Sequence, residues 1–74
     1  MITVRDARKK AEDSIKGTGL QLGGAMDDGE YFIFGYKGEP DIPPVGVQKE
    51  TGEVETYFPP DHIDAFIEAV KVKE

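Results

Sequence analysis

The side chains with the clearest chemical potential surround the single histidine of the chain. His62 lies between Asp61 and Asp64, and Ser14 is a hydroxyl that a histidine could activate. Pairs of this kind serve in acid–base and nucleophilic catalysis when a fold brings them within hydrogen-bonding distance. No nucleophile elbow and no His-x-x-His spacing accompanies them. We therefore expect no catalytic residues, and we do not expect the protein to be an enzyme.

The adjacent carboxylates of Asp27 and Asp28 form a second chemical candidate, because paired aspartates can bind a cation. The alternating acidic ligands of an EF-hand, closed by a glutamate, are missing here. The chain has no cysteine, so it has neither a thiolate zinc site nor a disulfide framework. Gly29 follows directly, and Asp-Asp-Gly is a turn signal. We predict a turn at this position, with no metal and no cofactor.

Length and charge restrict the classes of protein and partner. The chain has 74 residues and a net charge of −6, which predicts one small acidic domain over residues 1–74. Residues 27–68 contain eleven acidic and only two basic side chains. Phosphate backbones are repelled by such a surface, so we do not expect nucleic acid as a partner. No run is apolar enough for a signal peptide or a membrane span, and we expect a cytoplasmic protein without membrane association.

The N-terminal residues 2–16 have the periodicity of an amphipathic helix. Thr3 is a suitable N-cap, and Gly17 follows where the helix should end. The basic side chains of residues 8–10 are interpreted as a solvated helix face. The apolar stripe is narrow and rich in alanine, which favours close packing on a sheet. Its members are Val4, Ala7, Ala11 and Ile15.

Two strands are predicted next. Residues 20–26 alternate as a weak strand with Leu20, Leu22, Gly24 and Met26 in phase, and the glycines at 23 and 24 indicate a bulge or a closely packed helix. Residues 31–36 form the strongest strand signal of the chain and should be central in the sheet. One face of this strand presents Phe32, Phe34 and Tyr36, and the other presents Tyr31 and Ile33. Both faces of the sheet should therefore be at least partly covered.

Residues 45–58 are typical of a β-hairpin, with Gly52 in a left-handed turn position. We favour a register that pairs Lys49 with Glu53 and Val47 with Glu55, which places Glu55 on the face of Val45 and Val47. A loop over residues 50–53 is the alternative, and it pairs Val47 with Thr56.

The remaining segments are a loop and a second helix. Residues 37–44 contain three prolines and predict a stiff loop between strands. Pro59 and Pro60 end the hairpin, and a helix should begin at Asp61 and continue to Lys71 and Lys73. Its predicted apolar stripe consists of Ile63, Phe66, Ile67 and Val70. The fold class is therefore α+β, in the order α-β-β-β-β-α, with an antiparallel meander sheet between N- and C-terminal helices.

The order of these elements resembles that of bacterial immunity protein 35 family domains. The similarity lies in the MITVRDARKKAE helix, the YFIFGYK strand and the VxVxKETGEV hairpin. Members of that family are small cytoplasmic antitoxin-like proteins, encoded beside polymorphic toxin genes, that bind the toxin. The KETGEV hairpin is also similar to that of PepSY-type domains, which are associated with peptidase regulation. Neither resemblance implies a catalytic residue.

Two functional hypotheses follow. The first is an acidic binding protein that neutralises a basic toxin through loops and turns rich in carboxylates. The second is a self-associating, non-catalytic structural or regulatory domain that covers its second sheet face by forming a homodimer. The partner-binding residues expected under the first hypothesis are Asp27, Asp28, Glu39, Asp41, Glu50, Glu53 and Glu55.

Overall fold

The computed structural model describes all residues 1–74. Its main feature is a five-stranded antiparallel sheet. The elements are α1 (Val4–Ser14), β1 (Leu22–Asp27), β2 (Tyr31–Tyr36), β3 (Val45–Gln48), β4 (Val54–Thr56), a 3₁₀ turn (Pro59–His62), α2 (Ile63–Ile67) and β5 (Val70–Val72). The strand order across the sheet is β4-β3-β2-β1-β5. The α+β class and the β1 to β4 meander are confirmed, and the structure adds a fifth strand that the sequence did not predict.

Helix α1 covers one face of the sheet, called the α1 face below. The Thr3 hydroxyl accepts a hydrogen bond from the Asp6 amide at 3.1 Å, so the predicted cap is confirmed. Ala7 and Ala11 are fully buried, and their small side chains let the helix lie close to the strands. Arg8 differs from the predicted solvated face. Its guanidinium donates to the Gly23 carbonyl at 2.7 Å, pairs with the Glu74 carboxylate and lies 5.0 Å from the Phe34 ring centroid.

Strand β2 supplies core residues to both faces of the sheet, as its sequence predicts. Phe32 and Phe34 pack beneath α1 together with side chains from α1, β1 and β3. Tyr31 and Ile33 lie on the opposite side, called the second face below, where they contact Tyr57. The sheet is therefore covered on both sides, by a long helix on one and by the C-terminal segment on the other.

The predicted bulge in β1 is present, and it changes the phase of the strand. Leu22 lies opposite Tyr36, but Ala25 lies opposite Phe34, so the register shifts between them. Leu22 and Ala25 consequently both face α1 although they are three residues apart. The simple alternation predicted for this strand, with Leu22 and Met26 in phase, is wrong because the two glycines accommodate the extra residue.

The hairpin register differs from both predicted registers. Val47 lies opposite Val54, Val45 lies opposite Thr56, and Gly52 has the predicted left-handed conformation with φ +75°. Lys49 does not pair with Glu53, because its amide donates to the Glu30 carbonyl and its carbonyl accepts from the Ile2 amide, each at 3.0 Å. The loop therefore consists of residues 49–52, one residue more than in the favoured register.

The longer loop moves Glu55 to the other side of the sheet. It lies opposite Gly46, and its carboxylate accepts a hydrogen bond from the Tyr31 hydroxyl at 3.2 Å. Glu55 thus belongs to the second face. The expectation that it shares a face with Val45 and Val47 is wrong.

The C-terminal segment forms a much shorter helix than its apolar stripe predicts. Helix α2 has five residues, and Val70–Val72 then pairs with β1 as strand β5. Val70 and Val72 alternate with lysines, a pattern that suits a strand. Only Phe66 of the predicted stripe packs against the second-face core. Ile63, Ile67 and Val70 are exposed, so the predicted inward stripe is wrong for these three residues.

Candidate functional site

The predicted partner-binding carboxylates lie in three separate places. Tyr31 pairs with Gln48, so the β1–β2 and β3–β4 turns meet at one end of the sheet. Glu39 and Asp41 lie in the loop between β2 and β3, which is at the opposite end. Glu55 lies between the two ends, on the second face. The structure thus places Asp27, Asp28, Glu50 and Glu53 at one end of the sheet, and Glu39 and Asp41 at the other.

Asp27 and Asp28 hold the β1–β2 turn through their own hydrogen bonds. Asp27 accepts from the Gly29 amide at 2.7 Å and from the Lys49 ammonium at 2.8 Å. Asp28 accepts from the amides of Glu30 and Tyr31 at 2.8 and 2.6 Å. Its other carboxylate oxygen accepts from the Tyr57 hydroxyl at 2.6 Å. No group of three or more histidine, aspartate or glutamate side chains in the chain could hold a metal ion.

Three aromatic rings form a compact cluster on the second face, called the tyrosine cluster below. The His62 ring stacks on Tyr57 with centroids 4.6 Å apart and planes 18° apart. The Tyr31 ring meets Tyr57 edge-on at 5.6 Å and His62 edge-on at 5.4 Å. Tyr57 is fully buried, and Gly46 leaves the space for its ring because a Cβ at that position would lie 3.1 Å from the Tyr57 Cβ. The cluster fixes the 3₁₀ turn and α2 onto the sheet.

The ionisable groups in and beside the tyrosine cluster shift one another's pKa values. Burial and then the hydrogen bond to Asp28 raise the pKa of Tyr57. Burial and then the charge of Glu55 raise the pKa of Tyr31. For Asp28, burial favours a higher pKa, but the hydrogen bonds from Tyr57 and from two backbone amides outweigh burial and lower the pKa. Asp28 is therefore held as an anion, while both phenols are held protonated.

His62 and Ser14 do not approach each other. Ser14 lies in α1 on one side of the sheet, and its hydroxyl donates to the Ala11 carbonyl at 2.6 Å. His62 lies on the other side, stacked on Tyr57. The chemistry of this arrangement is hydrogen bonding and aromatic packing, which position the C-terminal segment.

The surface that sequence reasoning missed lies on this C-terminal segment. Phe58, Ile63 and Ile67 are 49%, 51% and 72% exposed. Ile63 and Ile67 are one helical turn apart and thus adjacent on α2. Their exposure follows from the short helix, which the prolines before it and the Val-Lys-Val strand after it could have indicated. The C-terminal patch, as it is called below, consists of Phe58, Ile63 and Ile67 with the exposed acidic residues Asp61, Asp64 and Glu68.

Comparison of the chain with protein-family models, with curated proteins and with solved structures finds no match. The resemblance to immunity proteins therefore stays a prediction. None of the helices has the length and apolar character needed to cross a membrane.

Proposed function

We propose that this domain is a non-catalytic binding protein that docks a basic protein on its C-terminal patch. Following the resemblance in its helix, strand and hairpin sequences, the partner we propose is a bacterial toxin that the domain neutralises. The observation that carries the proposal is the exposure of three large apolar side chains among carboxylates in a short segment.

The apolar part of the patch supplies the attraction. Complete burial of a large aliphatic or aromatic side chain stabilises a complex by about 1.5–3 kcal/mol. Ile67 is 72% exposed, so most of this free energy is still open to a partner. Interfaces obtain much of their affinity from a few such central side chains.

The charged part of the patch selects the partner. Asp61, Asp64 and Glu68 are exposed in the same segment as the apolar residues, and the whole chain has a net charge of −6. Two copies meeting through this surface would place carboxylates against carboxylates, which disfavours a homodimer at this patch. A partner with lysines or arginines around an apolar cavity gains binding energy from apolar burial and from charge attraction, and its association is accelerated at low salt.

Binding to the product of a toxin gene found next to this reading frame tests the proposal. Titration calorimetry of the two purified proteins should give a complex, and co-expression should restore growth of cells that make the toxin. Ile67→Ser should weaken binding on the order of tenfold. Ile42→Ser is the control, because Ile42 is an exposed isoleucine of the β2–β3 loop and is not part of the C-terminal patch.

Two results would contradict the proposal. One is an absence of both binding and growth rescue with the folded domain. The other is an equal effect of Ile42→Ser and Ile67→Ser, since the complex would then not depend on the C-terminal patch.

A further inference from the structure

The two edges of the sheet carry opposite charges. Strand β4 forms one edge, where Glu55 and the preceding Glu53 are exposed. Strand β5 forms the other edge, where Lys71 and the following Lys73 are exposed. An edge strand presents unpaired backbone groups to which another strand can add. The charges decide which strand each edge accepts.

The backbone groups on the β4 edge can be assigned from its ladder. The Glu53 carbonyl accepts from the Gln48 amide at 2.9 Å, and the Tyr57 amide donates to the Pro44 carbonyl at 2.8 Å. Residues 53, 55 and 57 therefore bond inward to β3. Because the direction alternates along an antiparallel strand, the N–H and C=O groups of Val54 and Thr56 point outward.

The same alternation assigns the β5 edge. The Asp28 amide donates to the Tyr31 carbonyl at 3.2 Å, so Asp28 and Met26 bond toward β2. Ala25 and Asp27 then bond toward β5, where their partners are Val72 and Val70. The N–H and C=O groups of Lys71 consequently point outward.

Side chains of the two edges also match face by face. On β4, Val54 lies opposite Val47 and belongs to the α1 face, whereas Glu55 belongs to the second face. On β5, Val72 packs against the α1-face core. Lys71 lies opposite Met26, which belongs to the second face. Valine is thus on the same side of both edges, and opposite charges are on the other side.

We infer that copies of this chain associate edge to edge, with β5 of one copy alongside β4 of the next. A parallel arrangement keeps α1 of both copies on the same side of one continuous sheet. Lys71 then lies opposite Glu55, between the outward backbone groups of Val54 and Thr56. The exposed valines of the two edges become neighbours on the α1 face, and Val70, 62% exposed, is partly covered.

Other pairings of the edges are less favourable. Two β4 edges related by a twofold axis place glutamates opposite glutamates, and two β5 edges place lysines opposite lysines. An antiparallel pairing of β5 with β4 inverts one copy, so that Lys71 faces the valine side of its neighbour. Only the parallel pairing satisfies charge and face together.

The contact is heterologous, because each copy uses two different edges. Repetition of the same step does not close on itself and gives an open series of subunits. The two edge strands have three residues each, so only a few backbone hydrogen bonds form per contact. Association is therefore weak, sensitive to salt and confined to high protein concentration.

Sedimentation velocity at low salt, from roughly 10 μM to 1 mM protein, tests the inference. The wild-type chain should form species larger than a dimer whose size grows with concentration. Lys71→Glu and Glu55→Lys should each weaken the association on the order of tenfold, since each replaces a cross-strand attraction by a repulsion. The chain with both substitutions, and an equimolar mixture of the two single variants, should recover it.

A charge-matched control separates this contact from a general effect of net charge. Lys37→Glu makes the same change in charge in the β2–β3 loop and should leave association unchanged. Circular dichroism confirms that each variant is folded before its association is measured. A wild-type chain that is monomeric throughout overturns the inference, as does association that stops at a dimer or that ignores Lys71→Glu. None of these results depends on the toxin partner or on the C-terminal patch.

Discussion

The hydrogen bond between Tyr57 and Asp28 should stabilise the fold more than any other single side-chain hydrogen bond on the second face. The Tyr57 ring is fully buried, and its hydroxyl donates to the Asp28 carboxylate at 2.6 Å. Tyr57→Phe removes this hydroxyl and leaves the ring packing on Gly46 and His62 in place. The substitution therefore isolates the hydrogen bond from the aromatic contacts.

The magnitude follows from the charge and surroundings of the acceptor. A hydrogen bond to a charged group contributes about 1.5–3 kcal/mol to the free energy of unfolding. Asp28 is half-buried and keeps two backbone donors after the substitution, which places the expected loss near the lower end, at about 1.5–2 kcal/mol. For a domain of this size, that loss lowers the melting temperature by roughly 6–16 °C.

Chemical and thermal denaturation followed by circular dichroism provide the assay, with Tyr36→Phe as the matched control. Tyr36 packs at the margin of the α1-face core, and its hydroxyl makes no hydrogen bond within the protein. Tyr31→Phe should fall between the two, since its 3.2 Å bond reaches an exposed glutamate. A Tyr57→Phe variant as stable as Tyr36→Phe would refute the prediction that the Tyr57–Asp28 hydrogen bond stabilises the fold.

The pH dependence supplies a second test of the same bond. The folded-state pKa of Asp28 is lowered below its ordinary value of 3.8, so its contribution is present above that pH and lost as the pH falls through the folded-state value. Removing the Tyr57 hydroxyl removes one cause of the lowering. The stability difference between wild type and Tyr57→Phe should therefore shrink as the pH falls through the folded-state pKa of Asp28. A difference that stays constant until both proteins unfold in acid would contradict this reasoning.

Three further predictions concern packing, capping and alkaline pH. Gly46→Ala should destabilise the fold by about 1–3 kcal/mol in urea denaturation, because the new methyl would lie 3.1 Å from the Tyr57 Cβ. Gly35→Ala is the control and should change stability by less than about 1 kcal/mol, because no other atom lies within 4 Å of a Cβ at that position. Thr3→Ala should cost about 1 kcal/mol by removing the α1 cap, whereas Thr3→Ser should retain most of it, and equal losses would argue against the cap. The pKa of Tyr57 is raised above its ordinary value of 10.0, so the contribution of its protonated hydroxyl to stability is present below pH 10 and is lost as the pH rises further. The free energy of unfolding should therefore fall less steeply with alkaline pH in Tyr57→Phe than in the wild type, and identical pH profiles would contradict this prediction.

The parts of the fold that follow local rules were predictable from sequence. The central strand has four consecutive apolar residues, Tyr31 to Phe34, and its division into two core faces is confirmed. Thr3 and the alanine stripe of α1 obey helix rules that depend only on neighbours in the chain. Gly52 is left-handed as predicted, because no other residue in that turn adopts the conformation at so little cost.

Long-range contacts decided the features that were predicted wrongly. The hairpin register depends on the backbone of Lys49, which bonds to Glu30 and Ile2 rather than across the hairpin. The extent of α2 depends on β1, whose free edge takes up Val70–Val72. The register constraint is not visible in the local pattern. For α2 the local pattern is ambiguous, since the i, i+3, i+4, i+7 stripe and the alternating Val-Lys-Val segment share Val70, and the contact with β1 decides between them.

The same limit applies to the candidate site. Asp27 and Asp28 are predicted to bind a partner, and the structure shows that both carboxylates accept hydrogen bonds within the protein. A sequence shows the donors and acceptors but not which of them meet after folding. The exposed isoleucines of the C-terminal patch were assigned to the core for a related reason, because periodicity indicates one face of a helix without showing whether the helix is long enough to be packed on that face.

The difference between the two faces of the sheet explains why the C-terminal patch exists. On the α1 face, an eleven-residue helix lies close to the strands through alanines and buries its stripe. On the second face, Pro59 and Pro60 delay α2 and β5 ends it, which leaves five helical residues, or less than one and a half turns. So short a helix can direct Phe66 toward Tyr57 but cannot also turn Ile63 and Ile67 inward. The pairing that completes the fifth strand is therefore also what leaves these isoleucines on the surface.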